Sequence, residues 1–102
     1  MLDVLILFPA SAGTADVDAV VAAVVPSLSG VQGLRSIRVS TGDLMRRGGP
    51  SGYSRVIELS FDSLGDWMAW ALAPERQDST AAFDRLQPDV LFFDAVDPRA
   101  GG

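Results

Sequence analysis

The stretch Phe61-Asp62-Ser63-Leu64-Gly65-Asp66-Trp67-Met68-Ala69-Trp70 constrains the fold more than any other, because a strand there runs directly into a capped helix. Tyr53 to Phe61 alternates at period two, the mark of a half-buried strand. Ser63 then stands where its side chain can accept from the first helical turn, and Asp66, three residues on, completes a variant of the capping box. Beyond the cap, Leu64, Trp67, Met68, Ala71 and Leu72 recur at helical spacing and form one apolar stripe, expected to be core. The junction points to a fold and names no reaction.

The remaining elements follow from the same two periods. Leu2-Asp3-Val4-Leu5-Ile6-Leu7-Phe8 is a short apolar run stopped by Pro9, which reads as a central strand covered on both faces. Val17, Val20, Val21, Val24, Val25 and Leu28 place a greasy face on a helix beginning near Gly13 and Thr14, with Asp16 and Asp18 favouring its positive end. Pro26 should end or kink that helix near Val25. Leu34 to Thr41 alternates as a second strand, and the arm from Gly42 to Gly52, with Arg46, Arg47, Gly48 and Gly49, is the best candidate for a mobile loop. After Pro74, Asp78 or Ser79 can cap a further turn or two carrying Ala82, Phe83 and Leu86, and Val90 to Val96 forms the last strand.

The order is strand, helix, strand, strand, helix, strand. Right-handed crossovers turn it into an α+β, ferredoxin-like βαββαβ sandwich, a four-stranded antiparallel sheet with helices on one face. Residues 1–97 read as a single domain and 98–102 as a flexible tail. A chain of 102 residues fits one such domain.

Composition narrows the partners. A net charge of −5 opposes nucleic-acid phosphates and an anionic membrane face, so neither is expected. The absence of Cys and His removes disulfides, thiolate sites, the usual neutral-pH base and the commonest metal ligand, so no metal and no cofactor is expected. The first apolar run is too short for a signal-peptide core, and the location reads as cytoplasmic. With 48% hydrophobic and 21% charged residues, the chain carries more apolar surface than a small monomer easily hides.

Alternation assigns that surface. Ile37, Val39, Tyr53, Ile57, Leu59 and Phe61 should meet the helices, whereas Ser36, Arg38, Ser40, Ser54, Val56, Glu58 and Ser60 lie on the second face. Pairing centred near Gly48 sets Arg38 opposite Glu58. The first and last strands are apolar on both sides, so the second face is expected to pack on another copy as a two-fold homodimer.

The element order, the segment Phe61-Asp62-Ser63-Leu64-Gly65-Asp66 and the run Val25-Pro26-Ser27-Leu28-Ser29-Gly30-Val31-Gln32-Gly33-Leu34-Arg35 together resemble the EthD family, of the dimeric α+β barrel group. That resemblance implies a homodimer with a small-molecule cleft between sheet and helices. It also implies kinship with cofactor-free monooxygenases, polyketide cyclases and muconolactone isomerases. Where many EthD-like chains carry a His, two residues before the helix-one Pro, this chain has Val24, so a His-based mechanism does not carry over.

Two functional readings result. The first is a cofactor-independent enzyme acting on small apolar or aromatic compounds, of oxygenase, isomerase or cyclase type. Tyr53 or Arg38 would stabilise developing oxyanion charge and Glu58 would move a proton, while Trp70 and Trp67 would line the substrate site. Each has a structural alternative: Arg38 and Glu58 as an interface pair, Tyr53 as an aromatic closing the core, Trp67 as a core anchor and Trp70 as a partly buried edge residue. The second reading is a non-catalytic dimeric module that binds a small molecule or assists a partner enzyme. A free-standing amino-acid-binding domain of the ACT type shares the element order and ranks lower.

Overall fold

The computed structural model describes residues 1–73, 81, 83–96, 98 and 99. Its elements are β1 (Leu2–Pro9), α1 (Thr14–Ser27), β2 (Leu34–Val39), β3 (Met45–Arg46), β4 (Gly49–Pro50), β5 (Tyr53–Phe61), α2 (Leu64–Ala71) and β6 (Asp89–Asp94). The main sheet has four strands in the order β2-β5-β1-β6, all neighbours antiparallel, which is the ferredoxin-like arrangement expected. Pro74, Asp78, Ser79 and Ala82, on which the second helical piece was expected to turn, lie outside the described residues, as do residues 100–102 of the expected tail.

β1 alternates strictly between buried and half-buried positions. Leu2, Val4, Ile6 and Phe8 point to one face, where they join Ile57, Leu59 and Phe61 of β5 and Val17, Val24 and Leu28 from α1 and its end. The opposite parity, Asp3, Leu5 and Leu7, pairs with Ser60, Glu58 and Val56 on the second face. Within one chain β1 is therefore central but covered on one side only. Full burial of each large side chain contributes roughly 1.5–3 kcal/mol, so this single-sided core holds the fold.

Pro26 does not stop α1 at Val25: the helix continues to Ser27. Its last turn tightens, with Leu28 N–H donating to Val25 (3.1 Å) and Ser29 N–H to Pro26 (3.2 Å), while Ser27 Oγ donates to the Val24 carbonyl at 2.6 Å. These bonds satisfy carbonyls that the helix end would otherwise leave without donors.

The arm from Gly42 to Gly52 has secondary structure of its own. β3 and β4 pair as a small hairpin across Arg47 and Gly48, the latter at φ +93° where a side chain is disfavoured. Ser51 locks its base, donating from Oγ to the Leu44 carbonyl (2.6 Å) and accepting from Tyr53 N–H (3.1 Å).

Two face assignments change. The register of β5 against β1 shifts between Phe8 and Pro9, so that Arg55 faces Phe8 but Tyr53 faces Pro9. The extra residue, Ser54, turns Tyr53 away from the helices and onto the second face. In α2, Leu64, Met68 and Leu72 are 45, 46 and 67% exposed, not core. Trp67 packs edge-on against Phe61 (5.8 Å between ring centroids), and Trp70 joins it against the core, which rotates the row 64–68–72 outward.

The cap itself is as the sequence implies. Ser63 is extended (φ −153°, ψ 162°) and its Oγ accepts from Asp66 N–H at 3.2 Å. Asp66 also lies against Gly33, whose carbonyl accepts from Asp62 N–H at 2.8 Å, tying the turn before β2 to the start of α2.

Candidate functional site

Between the helix-facing side of the sheet and α2 lies a cavity of about 130 Å³. Ile6 of β1 and Val90 of β6 form its floor, Trp67, Trp70 and Ala71 of α2 one wall, and Phe83, Asp84 and Pro88 the other. The sequence builds it in three steps. The Ser63 cap fixes where α2 starts, the Phe61–Trp67 contact fixes its rotation, and Phe83 is anchored by stacking on Phe8 at 5.6 Å and 21°. The indoles of Trp67 and Trp70 then stand side by side, 5.6 Å apart and tilted by 37°.

The lining is apolar with two exceptions. Asp84, an exposed residue, brings a carboxylate to the wall. Trp70 Nε1–H is buried with no hydrogen-bond acceptor among the described residues. An unmet buried donor costs on the order of 1–3 kcal/mol. Apolar walls of this kind suit a flat, uncharged molecule.

Arg38 and Glu58 face each other across β2 and β5, as the pairing predicts, with Nη1 and Oε1 3.8 Å apart. They line a shallow hollow with Ser40 and Val56 on the second face of the sheet. Tyr53 is on that face too, where its hydroxyl donates to Asp89 of β6. The hydrogen bond and then the charge of Asp89 raise the phenol above its ordinary pKa.

The structure thus brings Trp67 and Trp70 together, and separates them by the thickness of the sheet from Arg38, Glu58 and Tyr53. Phe83, Asp84 and Asp89 were not singled out in the sequence. Asp84 follows the anchoring residue Phe83 in a short helical turn, and Asp89 opens the last strand. Neither carries a local pattern that separates it from solvated acids. Among the described residues, no group of three or more His, Cys, Asp or Glu side chains is placed to hold a metal ion.

The second face also carries Leu5, Leu7 and Val56, half-buried, beside Leu91 and Phe93 of β6, which are 53 and 48% exposed. Asp3 sits at its margin and accepts from Ser60 Oγ at 2.5 Å.

No family model matches the sequence, and no curated protein matches it. Solved structures do match the fold. The chain resembles SnoaB, a cofactor-independent oxygenase from Streptomyces nogalater, with a TM-score of 0.72 at 14% identity over 94% of this chain and 93% of that one. It resembles an ethyl tert-butyl ether D (EthD) family protein from Bacillus halodurans, with a TM-score of 0.71 at 15% identity over 94% and 99% of the two chains. A dimeric ferredoxin-like protein of unknown function from Thermobifida fusca matches with a TM-score of 0.69 at 16% identity over 92% and 90%. At such identities the likeness establishes the fold alone.

Proposed function

We propose that this chain is a cytoplasmic homodimer that receives a small apolar or aromatic molecule between sheet and α2 and transforms it without a cofactor. The observation that carries the reading is the cavity lined by Trp67, Trp70, Phe83 and Val90, in which two adjacent indoles face a hydrophobic floor. Likeness of fold to a cofactor-independent oxygenase supports oxygenation among the reaction types proposed, which also include isomerisation and cyclisation. In this reading Trp67 and Trp70 bind substrate and Asp84, the carboxylate of the described lining, is the group within reach to move a proton, while Arg38, Glu58 and Tyr53 lie across the sheet on the face that the second copy covers.

The dimer is supported by the apolar patch of Leu5, Leu7, Val56, Leu91 and Phe93, continuous across β5, β1 and β6. A stable association buries roughly 1,200–2,000 Å² in total, the scale of a whole sheet face. The dimeric ferredoxin-like protein from Thermobifida fusca, of the same fold, agrees with it.

A non-catalytic binding module is the second reading. It is favoured by the separation of Arg38, Glu58 and Tyr53 from the aromatic cavity, since groups across a sheet cannot touch the same small molecule. Fluorescence titration of the two tryptophans with neutral aromatic compounds tests the common premise: saturable quenching is expected, and its absence up to the solubility limit rejects both readings. Turnover of a bound compound that falls in Asp84→Asn while quenching persists selects the enzyme. Binding without turnover selects the module.

A further inference from the structure

We infer that the cavity beside α2 selects neutral, single-ring molecules that carry one hydrogen-bond acceptor, and that the acceptor is met by Trp70 Nε1–H. The inference rests on the proposed binding role of this cavity and adds the chemistry of what it admits.

Size sets the first limit. A cavity of about 130 Å³ is close to the ~150 Å³ of an apolar protein cavity that takes up benzene, so one six-membered ring fills it. A fused polycycle would seat one ring and leave the others in water at the open mouth, unless it displaced the Trp67–Trp70 pair or Phe83, which stacks on Phe8.

Charge sets the second. Asp84 is the one ionisable group among the described lining residues, and it is an acid, on a chain of net charge −5. An anionic ligand would meet a like charge with no cation among the described lining residues to offset it, whereas an uncharged one would not.

The indole sets the third. Trp70 Nε1 has less than 1 Å² of accessible surface and no acceptor among the described residues, so the ring holds an unmet donor while its body lines the cavity. A ligand oxygen reaches that donor only if the indole turns toward the cavity. The turn exchanges a buried, unpaired N–H for a paired one, which reduces its cost. Ligand entry is therefore coupled to reorientation of Trp70, and an acceptor on the ligand drives it.

The test compares cyclohexanone with methylenecyclohexane, nearly the same shape without the oxygen acceptor, and with cyclohexanecarboxylate. The readout is the indole ¹⁵N–H spectrum, whose two resonances are assigned by the loss of one in Trp70→Phe. Expected results are binding of the ketone about two- to tenfold tighter than the alkene, a downfield shift of the Trp70 N–H with the ketone alone, and no binding of the carboxylate. In Trp70→Phe the preference for the ketone should vanish while the alkene still binds. If ketone and alkene bind equally and the Trp70 N–H stays unmoved, this inference fails and the cavity reading stands. If no compound perturbs either indole, the cavity reading fails and this inference with it.

Discussion

Tyr53 on β5 donates its phenolic hydrogen to Asp89 on β6, reaching past the end of β1, which lies between the two strands. The bond exists because the register shift at Phe8 and Pro9 moves Tyr53 to the same sheet face as Asp89.

Tyr53 is the sole tyrosine, so ultraviolet titration of the folded protein reports on it alone. Asp89 favours the protonated phenol, and its midpoint should lie above 10.0. The sign follows: the stabilisation is fully present below the phenol's unfolded value and is lost as pH rises through the higher folded one. Asp89→Asn should bring the midpoint down toward the ordinary phenol. A parent midpoint at or below 10.0 would show that the bond does not form in solution.

Gly33 has φ +80°, and a Cβ there would stand 2.3 Å from Asp66 Oδ2 and 2.7 Å from Asp66 Cβ. Gly33→Ala should cost roughly 1–3 kcal/mol in denaturant unfolding, part from the backbone and part from displacing the Ser63–Asp66 cap. Adding Asp66→Ala should recover the part due to the carboxylate but not the contact with the Cβ that alanine keeps, so the two changes should not be additive. Simple additivity would mean that Asp66 does not occupy that space.

The rotation of α2 has its own test. Met68, 46% exposed, should accept Lys with a change within about 0.5 kcal/mol. Trp67→Ala, which empties the contact with Phe61, should cost about 2–3 kcal/mol. A cost at Met68 as large as that at Trp67 would return the helix to the rotation read from its sequence, in which both are core.

What could be read from the residues, and what could not, divides along physical lines. The element order, the Ser63 cap and the Arg38–Glu58 pairing were legible, because each depends on neighbours in sequence or on simple period-two counting. The rotation of α2 was not: its residues offer apolar rows at both 64–68–72 and 67–70–71, and only the fit of Trp67 against Phe61 chooses between them. The face of Tyr53 was hidden by Ser54, since one extra residue in a strand inverts everything beyond it. The cavity was half legible. Its indoles were candidates, but Phe83 and Asp84 reach it only through the packing on Phe8.

The proposed dimer predicts a mass near twice 10.8 kDa by light scattering at low micromolar concentration. Leu7→Lys, in the centre of the open face, should yield a folded monomer by circular dichroism and scattering together. A parent protein that scatters as a single chain removes the dimer from the account.

The cavity is the central claim, and crystals soaked in bromobenzene test it most directly through the anomalous signal of the halogen. The account predicts a peak between the indoles of Trp67 and Trp70 and the side chains of Phe83 and Val90. An anomalous map with no peak there, from crystals in which the halogen occupies other sites, would contradict it.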